Sequence, residues 1–459
     1  MDATSRSIGY SWRSARWFII STVCIALFIE LFLYGFLVPM LPYLFQDGLL
    51  QDPSQTQRLT AAILTLHGLI SAISGPLIGH YADKMPNRKS PLLISLVGCI
   101  VGTVLVAWSP SLGILFLGRV LQGIAGSAVW IVGLATAADT VPESDMGKVM
   151  GLIMSFASAG IISGPMISGI LLDAAGYRLT WSVPIGILVL DMIARLLMIE
   201  NPEHSNRSSS DNVEETTSLL PSQNHPHNAS TAFGFWKFLL CDSRVVTALI
   251  VTVLTTAMLT SFHATLPLHT EEVFGWKSRQ VGIMFSLLSV PALFLSTPAG
   301  WLRDRVGVRV PITISLALHA VFHVLVGVAG NANFPWATSD TRGQTLYITS
   351  IVCLGILRPF VTGVGPVEVT GPMKKKLQAY LDLEGGLSRV YAMTDVAATS
   401  GMTMGPAVSG FLRETVGYTS MNWAFAIDLT PALQREHSYV QAMPRGNNSG
   451  GHSSQEPMN

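Results

Sequence analysis

The sequence predicts an all-α polytopic membrane protein built from two similar halves. Only 12% of its 459 residues are charged, whereas soluble proteins carry roughly 25%. The mean hydropathy is +0.46, so the average residue prefers an apolar medium. A third observation is that glycine, proline and charge patterns from the first half recur in the second. Together these features exclude a soluble multidomain protein of the same length.

Eleven stretches are long enough, and poor enough in charge, to cross a bilayer core of about 30 Å, which takes roughly 20 apolar residues. Each must be helical because backbone groups in lipid need partners within their own segment. The first is about twice as long as the apolar core of a signal peptide, so we predict a retained helix. The stretches are 17–45, 59–82, two within 90–138 divided at Pro110, 149–172, 179–199, 245–270, 280–302, 310–330, 343–367 and 390–412.

These stretches predict five regions along the chain. Lys and Arg concentrate in the loops on the same side as the N-terminus, which predicts that this side is cytosolic. The polar run after the sixth span lacks the apolar residues to build a core, so we expect a disordered linker. The regions are a cytosolic tail (1–16), an N-terminal six-helix bundle (17–200), the cytosolic linker (201–242), a C-terminal bundle with five full spans and a degenerate sixth (243–433), and a disordered tail (434–459).

The last span departs from this pattern. It begins after Tyr418 but soon contains Asp428, Pro431 and Arg435, which leaves too few apolar residues to cross a membrane. We therefore expect a truncated or altered last helix. If the chain ends outside the cell, Asn447 becomes an acceptor for glycosylation.

Charge balance and cysteine spacing remove other classes of protein. Lys plus Arg and Asp plus Glu both number 28, so no strong field exists to attract nucleic acid. The four cysteines are far apart and offer neither a disulfide framework nor a metal site. His319 and His323 share a helix face, as a di-metal membrane oxidoreductase would require, but such enzymes need several histidine clusters. We expect packed histidines, no metal, no cofactor and no enzymatic activity.

Two motifs occur once in each half. Each predicted cytosolic loop after the second span of a half carries glycine, an acid and then cations. Each fifth span carries spaced glycines and a proline, and the two copies of this second motif align without a gap at an offset of 241 residues. The residues are Gly79, Asp83, Lys84 and Arg88, repeated as Gly300, Asp304, Arg305 and Arg309; and Gly160, Gly164, Pro165, Gly169 and Gly176, repeated as Gly401, Gly405, Pro406, Gly410 and Gly417.

These residues resemble a known family. The segment GHYADKMPNRKSP, from Gly79, resembles the signature loop of the major facilitator superfamily, and the stretch 118–123 resembles its fourth-helix motif. The stretch 160–169 is similar to the fifth-helix motif of drug:proton antiporters. The segments around Arg358 and Asp395 resemble fungal members related to vesicular amine transporters. The resemblance implies the major facilitator fold, with two pseudo-symmetric six-helix bundles.

The repeated motifs predict conformational roles. Gly79, Asp83, Lys84 and Arg88, with Asp304 and Arg305 in the second half, are predicted to form a latch at the cytosolic face, with a positive-inside anchor as the simpler alternative. Gly160, Gly164 and Pro165 in the first half, and Gly405 and Pro406 in the second, are predicted to form hinges, because small residues allow close crossing and proline bends a helix. The alternative is a packing kink without a role in transport.

Ionisable residues inside spans are the strongest candidates for a functional site, since a charge at bilayer depth is costly unless paired or used. Glu30 in the first span can hold either a proton or a cation. Asp395 occupies a position where the first half has Met154, and the resemblance implies that an acid here is essential for coupling. Arg119 with Gln122 is a candidate relay, and Arg358 holds a similar place in the tenth span.

Other polar residues in the spans have weaker functional interpretations. Asp191 and Arg195 lie four residues apart and are expected to pair with each other. His263 is a candidate to face the cavity. Tyr34 and Trp130 lie deep enough to stack on an aromatic or cationic substrate.

The expected function is a proton-coupled secondary active transporter, an antiporter that exports a small amphipathic or cationic organic molecule such as a drug or secondary metabolite. One alternative is a vacuolar or vesicular amine or polyamine transporter, and another is a transport-dead membrane protein with a damaged last span. We expect a monomer in the plasma membrane, in preference to a vacuolar or vesicular membrane. Its partners are then the small-molecule substrate, protons and the lipid bilayer.

Overall fold

The computed structural model describes residues 9–82, 88–142, 145–199, 243–306, 309–361 and 387–441. Within these ranges the regular secondary structure is helical, and eleven helices exceed fifteen residues. They are α1 (Arg16–Leu37), α2 (Thr56–Ala82), α3 (Lys89–Ala107), α4 (Leu112–Thr140), α5 (Met146–Thr180), α6 (Ser182–Leu197), α7 (Ser243–Phe274), α8 (Ser278–Val306), α9 (Arg309–Val328), α10 (Thr341–Val361) and α11 (Leu387–Gln441).

The first helix does not end where its regular geometry does. After α1 the chain continues through a 3₁₀ turn (Val38–Met40), a short α turn (Leu41–Tyr43) and a π segment (Leu44–Gly48). Pro39 and Pro42 explain the change, because each lacks the N–H that a regular helix would use. The whole apolar segment Arg16–Gly48 remains continuous.

Nine helical stretches in the described part of the chain are long and apolar enough to cross a membrane, whereas the sequence predicted eleven. The sixth predicted stretch, 179–199, forms α6, which contains only 16 residues. The eleventh, α11, is not among the nine, although it is the longest helix described. Within the described residues, α6 and α11 are therefore the two predicted spans that do not meet the length and hydropathy of a membrane-crossing helix, and the number of full spans stays a prediction.

Large apolar side chains cover the outside of the bundle. Ile94, Leu190 and Phe294 are 72%, 67% and 73% exposed, and many others share this orientation. A soluble protein rarely exposes contiguous apolar surface on this scale, but a helix surface in contact with lipid requires it. The protein is therefore a multi-pass membrane protein.

Helix contacts repeat between the two halves. α1 packs against α5 as α7 packs against α11, and the pairs α3 with α4 and α2 with α4 are matched by α9 with α10 and α8 with α10. The two halves meet through two contacts, α2 with α11 and α5 with α8. These contacts are equivalent in the repeat, because replacing each helix by its counterpart in the other half converts one pair into the other. This pattern confirms two pseudo-symmetric bundles.

Equivalent glycines break α5 and α11. Gly176 has φ 75° and ψ 172°, and Gly417 has φ 84° and ψ 166°. These conformations are open to glycine but strained for residues with a Cβ. The chain after Gly417 continues as helix to Gln441, so the sequence-based boundary at 433 falls inside this helix.

The predicted linker at 201–242 and the end of the chain, including Asn447, lie outside the described residues.

Candidate functional site

Glu30 lies buried in α1 and faces α4 and α2. Its carboxyl group rests against Gly126, where any side chain would overlap the carboxyl oxygens. Oε1 of Glu30 lies 3.9 Å from Nε2 of His67 on α2. Glycine at position 126 therefore provides the space that the carboxyl group occupies.

Asp395 reaches the same part of α4 from the other half of the molecule. The Ser127 hydroxyl lies 3.0 Å from Oδ2 of Asp395, and the Asp395 side chain is buried. A Cβ added to Gly75 on α2 would lie 3.2 Å from the same oxygen. Because Gly126 and Ser127 are consecutive, carboxyl groups from α1 and α11 meet on one turn of α4.

The hydroxyl of Ser127 has two acceptors within reach but only one proton to donate. Besides Asp395, the backbone oxygen of Ser71 on α2 lies 2.9 Å from Ser127 Oγ. Both hydrogen bonds form together only when the carboxyl of Asp395 carries a proton and donates to Ser127. An ionised Asp395 instead accepts the hydroxyl proton, and Ser71 loses that bond. The protonation state of Asp395 therefore sets the direction of a hydrogen-bond chain between the two halves.

Arg119 and Gln122 contact each other as the sequence predicted. Nη1 of Arg119 donates to Oε1 of Gln122 over 2.9 Å, and Nε2 of Gln122 donates to Thr103 Oγ1 over 3.0 Å. The guanidinium carbon of Arg119 lies 5.7 Å from the centre of the Tyr34 ring. Within the described residues, Nε and Nη2 of Arg119 are buried without a hydrogen-bond partner. The predicted relay role of the pair stays a prediction.

Buried aromatic rings from both halves pack against one another beside Glu30. The Tyr34 ring centre lies 5.3 Å from that of His67 and 5.7 Å from that of His263 on α7, and His263 lies 5.1 Å from Phe285 on α8. Tyr34 and His263 were candidates from sequence, while Trp130 packs instead with an apolar cluster that includes Cys24 and Leu27. His67 was missed, and the available signal was a titratable side chain in a stretch without formal charge.

The predicted hinge residues lie at helix crossings inside each bundle. Gly160 and Gly164 are in close contact with the backbone of α1, and the Pro165 ring packs against Gly35, also on α1. In the second half Gly405 packs against the backbone of α7 in the same way. Small residues at these positions let the backbones approach. Whether they also act as hinges stays a prediction.

The loop after α2 contains one described cation of the predicted latch. Arg88 donates from Nη1 to the carbonyl of Ala82 over 2.6 Å, and its Nε lies 3.3 Å from Oδ2 of Asp139 at the end of α4. A cation that binds the last carbonyls of a helix is stabilised by the helix dipole. Lys89, the next residue along the chain, donates to the carbonyl of Leu196 over 2.9 Å.

The remaining members of the predicted latch are less fully described. Asp83 and Lys84 lie outside the described residues. Asp304 falls within α8, where the structure describes only its backbone. The guanidinium of Arg305 lies 4.4 Å above the Trp301 ring, and a Cβ added to Gly300 would meet no atom within 4 Å. The predicted equivalence of the two loops stays a prediction.

At the opposite end of the bundles, Arg413 joins three helices. Its Nη2 lies 2.6 Å from Oε2 of Glu272 on α7, and its Nη1 donates to the carbonyl of Thr265, 3.2 Å away. The same nitrogen donates to Oε1 of Gln57 on α2. These bonds connect the N-terminal half to the C-terminal half.

Two other predicted groups lie apart from this site. Asp191 and Arg195 form an ion pair at 2.7 Å, which confirms the expected pairing. Arg358, His319 and Pro406 do not join the cluster on α4; Arg358 and His319 line a cavity inside the C-terminal bundle. No group of three or more His, Cys, Asp or Glu side chains suited to a metal ion occurs in the described ranges.

The fold and these buried polar groups define a helical membrane transporter built from two bundles. The family model of the Major Facilitator Superfamily matches residues 23–369, and the chain belongs to that superfamily. Its membership places the protein among transporters, not enzymes.

Relatives match over most of their length. An uncharacterized MFS-type transporter, C18.02, of Schizosaccharomyces pombe is 30% identical, in an alignment that covers 87% of this chain and 90% of that protein. The class E tetracycline resistance protein of Escherichia coli is 23% identical, in an alignment that covers 88% of this chain and 90% of that protein. A probable vesicular acetylcholine transporter-B of Danio rerio is 24% identical, in an alignment that covers 92% of this chain and 80% of that protein.

A solved structure supports the fold. The crystal structure of the nucleoside transporter NupG aligns with a TM-score of 0.65 at 14% identity, and covers 93% of this chain and 100% of NupG.

Proposed function

We propose that the protein is a proton-coupled antiporter that exports a small amphipathic or cationic organic molecule. One observation carries the proposal: Glu30 and Asp395, from opposite halves, lie buried against consecutive residues of α4. A carboxyl group in an apolar environment is neutral when protonated and needs a counter-charge when ionised. A cationic substrate and a proton are alternative ways to meet that need.

The carboxyl groups hold either protons or a cationic substrate, but not both, and this links proton movement to substrate movement. When the carboxyl groups are ionised, a cation binds between the halves and the aromatic faces of Tyr34 and His67 add favourable contact. When protons arrive from the opposite side, the carboxyl groups become neutral and the cation leaves. The halves move relative to each other at the α2 to α11 and α5 to α8 contacts, which supports alternating access to the two sides.

The test is transport into proteoliposomes that carry a proton gradient, with ethidium as a fluorescent amphipathic cation. We expect wild type to accumulate ethidium in a gradient-dependent manner. Glu30→Gln and Asp395→Asn are each expected to reduce the accumulation at least about tenfold, because a permanently neutral amide neither releases a proton nor attracts a cation.

Asp173→Asn is the matched control, since it makes the same change at an exposed position near the end of α5. It should transport as wild type does. If Glu30→Gln and Asp395→Asn both accumulate ethidium like the control, the assignment of coupling to these acids is wrong. If wild type moves ethidium equally well without a gradient, proton coupling is wrong.

The membrane we propose is the plasma membrane, with the protein acting as a monomer. A vacuolar or vesicular amine transporter is the second candidate, supported by the similarity to a probable vesicular acetylcholine transporter. Both use the same antiport, so a fluorescent fusion in the native cell distinguishes them by the membrane it labels.

The transport-dead alternative rested on the altered last span. The chain after Gly417 continues as helix to Gln441, but this helix is not among the nine that are long and apolar enough to cross a membrane, so a flux measurement decides between the active and the inactive alternative. Gradient-dependent ethidium flux from this protein would exclude the inactive alternative.

A further inference from the structure

The buried site on α4 contains more acids than cations. The two acids, Glu30 and Asp395, and the cation Arg119 are all buried. The charge of Arg119 acts on Glu30, and the charge of Glu30 acts on Asp395. Because an arginine stays protonated in proteins, this charge cluster of three residues carries one excess negative charge whenever both acids are ionised.

Neighbouring ion pairs do not change this balance. Arg195 on α6 acts on Glu30, but its Nη2 lies 2.7 Å from Oδ2 of Asp191, so its charge is offset within α6. Near the opposite end of the bundles, Arg413 on α11 is paired with Glu272 on α7 at 2.6 Å. These two pairs therefore add no net charge to the elements that pack around the charge cluster.

Two imidazoles beside Glu30 count as neutral in this balance. His67 on α2 lies in the electrostatic field of Arg119. His263 on α7 lies in that of Arg358. A proton on either ring would place a second cation close to a permanent guanidinium in a buried space, which is costly. Arg358 belongs to the C-terminal bundle and has an interaction of its own, so it is not a member of the charge cluster.

We propose that the charge cluster exchanges a single proton for a single monovalent organic cation, and that Arg119 sets this selectivity for charge. A buried net charge is costly, so either one proton or one positive charge on the cargo offsets the excess acid. When the cation binds, the O–H bond of the protonated acid breaks and the proton leaves to water. This inference rests on the proposed antiport, and it narrows the exchange at the two carboxyl groups to one proton in total.

A single-proton exchange has consequences that can be measured. One proton and one monovalent cation carry equal charge in opposite directions, so a complete cycle moves no net charge across the membrane. Accumulation then follows the pH difference, by about tenfold per pH unit, and does not respond to the membrane potential. A divalent cation would leave the charge cluster with a net positive charge, so it should bind poorly.

Binding to the full-length protein in nanodiscs tests the charge balance without transport. The probes are ethidium, which is a monovalent cation, and propidium, which has the same ring system and a second positive charge. A pH indicator in weakly buffered solution at about pH 7 measures the protons released on binding. We expect wild type to release about one proton per bound ethidium and to bind propidium at least about tenfold more weakly than ethidium.

Variants that alter the number of charges should alter the preference in a defined direction. Arg119→Gln leaves two acids without a cation, so the affinity for propidium relative to ethidium should rise by roughly tenfold or more. Arg178→Gln makes the same substitution at an exposed position and should keep the wild-type ratio. Adding Arg119→Gln to Asp395→Asn restores one excess negative charge, so the double variant should recover ethidium binding that Asp395→Asn alone loses.

Transport by wild type provides a second measurement that needs no variant. Proteoliposomes receive a fixed pH difference, while potassium gradients with valinomycin set the membrane potential, and empty liposomes are the blank. We expect the accumulation of ethidium to stay the same when the potential is changed. Comparing ratios between variants removes the effect of the longer propidium side chain, and monodisperse elution in size-exclusion chromatography shows that each variant has folded.

The outcomes separate this inference from the proposed function. Release of no proton or of two protons per bound ethidium, or a wild-type ratio in folded Arg119→Gln, would overturn the single-proton exchange. Gradient-driven accumulation that also follows the membrane potential would overturn it and leave the antiport standing. One proton released on binding, without gradient-driven transport, would overturn the antiport and leave the charge balance standing. A wild type that binds neither probe would overturn both.

Discussion

Replacing Ser127 with alanine tests the hydrogen-bond chain between the two halves. The hydroxyl lies 3.0 Å from Asp395 and 2.9 Å from the carbonyl of Ser71. Ser127→Ala removes both bonds and leaves a cavity no larger than one oxygen atom. An ionised Asp395 loses a donor, whereas a protonated Asp395 loses only an acceptor, so the change disfavours the ionised form.

The magnitude follows from the charge of the acceptor. A hydrogen bond to a charged group contributes about 1.5–3 kcal/mol, and a tenfold change in proton affinity corresponds to about 1.4 kcal/mol. We therefore expect the pH at which protons displace half of the bound ethidium to rise by about one to two units in Ser127→Ala. The assay is ethidium fluorescence with the purified protein in nanodiscs, titrated across pH.

Ser74→Ala is the matched control. Its hydroxyl also bonds to the carbonyl of Ser71, at 3.2 Å, but within the same helix and without contact to an acid. The control should titrate like wild type. If Ser127→Ala shows the same displacement pH as Ser74→Ala, then Asp395 does not exchange its proton against the cation through this contact, and the reasoning is refuted.

Three further predictions concern packing and conformation. Gly126→Ala places a Cβ against the Glu30 carboxyl, so ethidium flux should fall about tenfold or more, as overpacking of about 1–3 kcal/mol implies; unchanged flux would argue against the contact. Arg413→Gln breaks the bonds that join the halves at the predicted extracellular end. The probe is a cysteine placed at Ala61 after the four native cysteines have been replaced by serine, and it should react with a polar maleimide about tenfold faster in the variant. An equal rate would mean that Arg413 does not hold this end closed. In Gly417→Ala a residue with a Cβ must adopt φ 84°, which should lower the free energy of unfolding by about 1–3 kcal/mol. The measurement is the midpoint of thermal unfolding, and a Tm equal to that of an alanine variant in a regular helix would contradict the prediction.

The helices and the repeat were accessible from sequence because each depends on local properties. A span is recognised by a long run without charge, and Gly176 and Gly417 stood out because the surrounding motif recurs at one offset. Both glycines adopt the positive φ that few other residues tolerate. The length of α6 was harder to predict, because the helix has only 16 residues and ends where Met198 adopts an extended backbone.

The candidate site was only partly accessible from sequence. Glu30, Arg119 and Asp395 stood out because charge in an apolar run is rare. His67 escaped notice, since histidine carries no formal charge in a residue count. Asp139 did as well, because its partner Arg88 lies 51 positions away in the chain. Contacts of this kind depend on which helices become neighbours, and that information is not contained in any one segment.

The sequence by itself determined that the chain spans a membrane as two related helical bundles, because hydropathy and motif spacing are properties of the linear chain. Tertiary structure alone decided that Glu30 and Asp395 meet on one turn of α4, while Arg358 and His323 line a separate cavity. The physical reason is that helix packing, not sequence distance, sets which buried charges share a space, and the energy of a buried charge depends on its nearest neighbours.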